Sequence, residues 1–191
     1  MPNQPPRGFG SRALVLTKIS SGTVWFRFHG RQYANPLGFG YGPSRFSDPK
    51  IKLLPPKRYG VIYLGSTVKV CFAEAILRDQ GDGRLGAFPI AWTEIETWTC
   101  ATLRIEQTLN LVDLRGDGPI RMGIPSDVAR ARSQKLSRLW SRALWSHGMK
   151  PDGIAYDSRL NGESNIAIFD RALRKLASVV TQPNAQPTLP G

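Results

Sequence analysis

The run Val70-Cys71-Phe72-Ala73-Glu74-Ala75-Ile76-Leu77 constrains this chain more than any other stretch. At 100° per residue, Phe72 and Ile76 take one side of a helix while Val70, Cys71 and Leu77 flank the glutamate on the other. A helix apolar nearly all round is buried, so the rest of the chain has to cover it. Glu74 is carried with it into low-dielectric surroundings, where an ionised carboxylate is costly unless paired, hydrogen-bonded or protonated. Glu74 is therefore either half of a structural ion pair or part of a site. Ser66 reads as the N-cap of this helix, which is expected from Thr67 to about Asp79.

The covering has to come from short elements. Thr23–His29 alternates, with Val24, Phe26 and Phe28 on an apolar back and Trp25, Arg27 and His29 on a polar front. Strand character recurs at Tyr59–Leu64, Thr99–Glu106, Leu109–Leu114, Gly153–Tyr156 and Ile166–Phe169. A second main helix is expected from a Ser126 cap to about His147, with Leu136, Trp140, Ala143 and Leu144 as its apolar stripe and Arg132, Lys135, Arg138 and Arg142 on another face. A short helix is expected at Arg171–Val179. Strands without regular βαβ alternation, joined to two main helices, predict an α+β domain. At 191 residues the chain is one domain, able to bury roughly 70% of its unfolded surface without a disulfide or a metal. The expected organisation is a tail at 1–12, a folded body at 13–178 and a proline-punctuated tail at 179–191.

Two cysteines, Cys71 and Cys100, lie in apolar stretches and read as core residues. No apolar run approaches the ~20 residues of a membrane span, and the start lacks a leader-like apolar segment, so a cytoplasmic protein is expected. Basic residues outnumber acidic ones by 26 to 14, a net charge of +12. Such a field attracts nucleic acid, an anionic small molecule or an acidic protein, without choosing among them.

Arginines supply the context for Glu74. Arg27 projects from the polar front of its strand, and Arg45 lies in a glycine-rich loop, Gly30–Pro49, whose composition excludes regular structure. A guanidinium matches carboxylates and phosphates bidentately, so these groups either neutralise Glu74 or hold an anion beside it. Tyr63 precedes the helix and can stack on a planar ring or act as an ordinary strand aromatic. Ser158, directly after a strand, binds an oxygen of a ligand or starts a turn.

Taken together, Trp25-Phe26-Arg27, Gly42-Pro43-Ser44-Arg45-Phe46-Ser47-Asp48-Pro49, Tyr63-Leu64-Gly65-Ser66 running into Ala73-Glu74, Gly153-Ile154-Ala155-Tyr156-Asp157-Ser158-Arg159 and Ala167-Ile168-Phe169-Asp170 resemble the RES domain family. The resemblance runs from about Val24 to Ala172. Where many members carry a glycine before the loop arginine and a tryptophan after it, this chain has Ser44 and Phe46.

The resemblance implies a compact fold similar to ADP-ribosyltransferases and a toxin that consumes NAD by hydrolysis, phosphorolysis or ADP-ribosyl transfer. It implies an Xre-like helix-turn-helix antitoxin as partner, with nucleic acid met only through that antitoxin, and neither metal nor cofactor beyond NAD as substrate. It marks Glu74, Arg45 and Tyr63 as catalytic candidates, and Arg27, Ser158, Arg159 and Phe46 as NAD-binding candidates. Cleaving the nicotinamide–ribose bond passes through an oxocarbenium-like state, which a carboxylate stabilises. The alternative suggested by charge alone is a basic nucleic-acid-binding protein or ribonuclease toxin. Its acid–base chemistry would fall to His29 and His147, the only two histidines, although each also reads as an ordinary helix-end or surface residue.

Overall fold

The computed structural model describes residues 4–78 and 89–182. Eight strands form one sheet: β1 (Leu16–Ile19), β2 (Val24–Gly30), β3 (Val61–Gly65), β4 (Trp98–Ile105), β5 (Leu109–Asp113), β6 (Gly153–Asp157), β7 (Ser164–Phe169) and β8 (Leu176–Gln182). Their order is β1-β5-β6-β7-β3-β2-β4-β8. Every pairing is antiparallel except β5–β6. A parallel pair needs a long crossover, and the chain between β5 and β6 supplies it with helices.

The α-helices among the described residues are α1 (Val68–Phe72), α2 (Trp92–Ile95), α3 (Gly118–Met122), α4 (Asp127–Arg130) and α5 (Lys135–Trp145). Strand alternation divides the buried side chains between the two faces of the sheet. Val61, Ala167, Phe169, Ile154 and Tyr156 pack with Trp140 and Leu144 of α5. Ile62, Leu64, Ile166, Ile168 and Ala155 pack on the other face with Trp25, Leu103 and Ile105. With both faces covered, the α+β expectation holds.

The sheet is not evenly knit. β2 and β4 pair over seven residues, from Val24↔Arg104 to Gly30↔Trp98, whereas β2 and β3 meet only at Phe26↔Gly65. The two strands therefore part beyond that pair, on the side of Tyr63 and Phe28, and α1 packs against both of them. Gly65 is required there: a Cβ would lie 2.5 Å from Val70 Cγ1 and 2.6 Å from Cys71 Sγ.

Several local expectations are corrected. Thr67, not Ser66, caps α1, its side chain accepting from Val70 N at 3.1 Å. The helix does not continue as an α-helix; Ala73–Leu77 is a π-helical turn, and Asp79 lies outside the described residues. The helix expected over 126–147 is broken into α4 and α5, and Ser126 makes no side-chain cap. Ala131 is extended at the break, which frees its carbonyl for Arg45 Nη1 at 2.8 Å. The helix expected at Arg171–Val179 is a 3-10 segment, Asp170–Lys175, followed by β8 on the edge of β4. Ala172 and Leu176 are buried as a helical spacing would demand, but strand pairing of the β-branched Val179-Val180-Thr181 prevails.

Within the segment expected as a tail, Phe9 is buried edge-on against Trp140 at 4.9 Å. Among the described residues no helix is long and apolar enough to cross a membrane.

Candidate functional site

A cavity of about 180 Å³ lies where β2 and β3 part, walled by Phe28, Tyr63 and Tyr156 and reached by Glu74, Arg45, Arg78 and Asn165. Each strand contributes by alternation: Tyr63, Tyr156 and Asn165 occupy positions on the same face as the α5-facing core.

Glu74 enters from the π-helical turn, a distortion that recurs at functional sites because it re-aims one side chain. Its carboxylate is half-buried, and Oε1 accepts from Ser158 Oγ at 2.6 Å. Ser158 Oγ accepts in turn from Leu160 N at 3.1 Å, which directs the hydroxyl hydrogen to Glu74. Ser158 thus starts a turn and holds the carboxylate at once. No arginine seals Glu74 in a salt bridge among the described residues.

Arg45 is 8% exposed. Burial lowers its pKa; Tyr156 and Glu74 pull it back, while Arg159 and Arg78 add to the fall. The loop bearing it is fixed by Tyr63, whose hydroxyl accepts from Phe46 N at 2.8 Å and shares a hydrogen bond with Ser44 Oγ at 2.8 Å. Burial pushes the Tyr63 phenol up and the Tyr156 phenol well up. Their hydroxyls therefore remain protonated at neutral pH. Cys71, beside them, is pushed up to about 12 by burial and stays a thiol.

Phe46 does not line this cavity. Its ring is 0% exposed and packs edge-on against Tyr156 at 5.1 Å, so it anchors the arginine loop from below instead of meeting a ligand. Arg159 is exposed near Arg45. Arg27 is not brought to Glu74, because the odd positions of β2 face away from Phe26 and Phe28.

Arg27 instead lines a second cavity of about 790 Å³, together with His29, Gln32, Tyr33, Asn35, Phe39 and Trp98. Phe28 borders both cavities. The Arg27 guanidinium donates to the Pro36 carbonyl and has no carboxylate partner among the described residues. Burial lowers its pKa to about 10. His29 is buried, not a surface residue; burial and Arg27 push its pKa down, and Nε2 has no partner among the described residues.

The two histidines do not converge. His147 is 1% exposed, with Nδ1 accepting from Met149 N and Nε2 bonded to the Phe9 carbonyl. It has no free nitrogen for acid–base work.

Sequence reasoning missed Tyr156, Arg78 and Asn165. Tyr156 shares a face with Ser158 two residues on, and Asn165 is a polar interruption before the apolar Ile166–Phe169. Both signals are present, but they gain meaning only from the register that sets β6 and β7 beside β3. Arg78 carries no such signal, since it closes the turn that the sequence presents as plain helix.

Comparisons with known proteins bear on the family and the fold. The RES domain model matches residues 23–190. The chain is 57% identical over 100 residues to "Probable toxin y4kH" of Sinorhizobium fredii, spanning 52% of this chain and 79% of that protein. The fold is similar to a chain in the crystal structure of the M. tuberculosis MbcT-MbcA toxin-antitoxin complex. That match has a TM-score of 0.63 at 16% identity and covers 86% of this chain and 85% of that one. At that identity the similarity concerns the fold alone, a mixed α/β domain built on one eight-stranded sheet.

Proposed function

The chain belongs to the RES domain family, and from that premise we propose that it is the toxin of a toxin–antitoxin pair and cleaves the nicotinamide–ribose bond of NAD. The toxin assignment is supported by the relative's name and by the complex in which the structural neighbour occurs. An Xre-like antitoxin is the proposed partner.

One observation carries the chemical reading: a carboxylate held by Ser158 at 2.6 Å opens on an aromatic-walled cavity that otherwise presents arginines. About 150 Å³ suffices for a benzene ring, so a cavity of about 180 Å³ takes one substituted ring and not a dinucleotide. Nicotinamide fits there between Phe28, Tyr63 and Tyr156, with the rest of NAD outside. The pyrophosphate meets Arg45, Arg78 and Arg159. The larger cavity beyond Phe28, with Arg27 unpaired by any carboxylate, has room for a nucleotide.

In the reaction the bond from ribose C1′ to the ring nitrogen breaks, and its electron pair leaves with nicotinamide, which departs neutral from a cationic ring. Glu74 stabilises the positive charge developing on the ribose, and Ser158 keeps its Oε1 aimed during that step. An acceptor (water, phosphate or a protein side chain) then bonds to C1′.

The test is nicotinamide release from NAD by purified protein, with and without phosphate. Glu74→Gln should lower the rate by at least about 100-fold with the fold intact. Full turnover in that variant removes Glu74 from the mechanism.

A further inference from the structure

Among the polar groups that line the cavity and that the chemistry above does not use, Asn165 stands out by its unsatisfied amide. Asn165 is 4% exposed, lines the cavity and has a side-chain Nδ2 with no hydrogen-bond partner among the described residues. A buried donor without a partner is destabilising, and the position does not demand one. Ala167 and Phe169, on the same face of β7, are plain apolar core.

The backbone around Asn165 is rigid on both sides. It pairs with Gly65 of β3 and with Tyr156 of β6, so the amide is held between strands that both line the cavity. Gly65 keeps room for it: a Cβ at that position would lie 3.3 Å from Asn165 Oδ1. Three aromatic rings supply the walls for a planar ligand, and the amide supplies a donor and an acceptor at its edge.

We propose that Asn165 is the specificity-determining residue that reads the carboxamide of the nicotinamide ring; this rests on the NAD-cleaving reading. A carboxamide offers a carbonyl oxygen to Nδ2 and an N–H to Oδ1, whereas a carboxylate offers acceptors only. The match survives either orientation of the Asn165 amide, because both groups carry one donor and one acceptor end. Asn165 makes no contact with the reacting bond in this account. Its work is in ground-state recognition and in fixing the ring plane.

The experiment uses nicotinamide and nicotinic acid as probes, titrated into the full-length protein and into Asn165→Ala by calorimetry, with melting curves to confirm the fold. Nicotinamide should bind the parent protein. Asn165→Ala should weaken it by about tenfold and lower the nicotinamide-to-nicotinic acid affinity ratio by a similar factor. Failure of nicotinamide to bind the parent protein overturns the proposal, as does an unchanged ratio in the variant. Should Asn165→Ala fail to fold, Asn165→Asp, which keeps the volume and loses the donor, is read in the same way. The two readings separate cleanly: binding with the expected ratio but no nicotinamide release from NAD refutes the catalytic reading alone. Release from NAD with an unchanged ratio refutes the role of Asn165 alone.

Discussion

Replacing Ser158 by alanine isolates the contact on which the carboxylate's position depends. The hydroxyl donates to Glu74 Oε1 at 2.6 Å and accepts from Leu160 N at 3.1 Å. A hydrogen bond to a charged group contributes about 1.5–3 kcal/mol, and each 1.36 kcal/mol is a factor of ten in rate. If the whole contact serves to aim Glu74 in the transition state, kcat/KM for NAD falls by about 10- to 100-fold. Stability should suffer less. Leu160 is exposed, so water replaces the lost partner of its N–H, and a loss near 1 kcal/mol lowers Tm by about 2–4 °C for a chain of this size. The assay is steady-state nicotinamide release alongside a melting curve, repeated in the Glu74→Gln background. There Ser158→Ala should cost less than about threefold more, because coupled residues fail to add. Unchanged kcat/KM in the single variant, or full additivity in the double, would refute the positioning role.

Further outcomes follow from other contacts. Tyr63→Phe leaves the buried Phe46 N–H without its acceptor, which should destabilise by about 1–3 kcal/mol and raise KM for NAD as the Arg45 loop loosens; melting and saturation kinetics read both. Phe9→Ala should cost about 3 kcal/mol or more, a fall in Tm of roughly 10 °C, because the ring packs on Trp140; an unchanged Tm would show that residues before 13 are dispensable. His29 has a folded pKa pushed below its ordinary 6.5 by burial and Arg27, so the unfolded chain binds the proton first as pH falls. Its contribution to stability is whole above pH ~6.5 and is lost below it, down to the folded pKa. Denaturant titrations of the wild type between pH 7 and 5 should therefore slope more steeply than those of His29→Gln.

Strand character made most of the sheet legible, because short apolar runs such as Ile166–Phe169, bounded by turn residues, carry that signal locally. The failures share one cause. Arg171–Val179 shows a helical spacing of Ala172 and Leu176, and the stretch from Ser126 to His147 reads as one helix, yet long-range partners decide both. β4 recruits Leu176–Gln182 as an edge strand, and Arg45, 86 residues away, takes the Ala131 carbonyl that a continuous helix would consume. The site divides in the same way. Glu74 is conspicuous because a carboxylate in an oily segment conflicts with its surroundings. Arg27 is equally conspicuous as a residue, but which cavity it enters depends on the twist and opening of the sheet, which no local pattern encodes. Phe46 fits a substrate-binding motif position but is used as a wedge beneath the loop.

The opening between β2 and β3 is what joins these particulars. A fully paired sheet would leave no space for Glu74 beside Tyr63 and Tyr156, and a glutamate in that helix would then need an arginine clamped on it. Here a single residue pair, Phe26↔Gly65, holds the two strands together while the cavity forms beside it. Arg45 and Arg27 are left donating to backbone carbonyls instead of carboxylates, and burial depresses the pKa of both. Such an arrangement is electrostatically incomplete as it stands. On the proposed reading, a ligand with two phosphates and a ring that becomes neutral on leaving would supply the missing negative charge and then give up its affinity for the pocket when the bond breaks. A polyanion such as RNA satisfies the first requirement only, since nothing in a nucleic acid backbone calls for a walled cavity with a carboxylate at its rim. On that reading the positive charge of the chain draws anions in general, and the geometry at the sheet opening would select which of them can react.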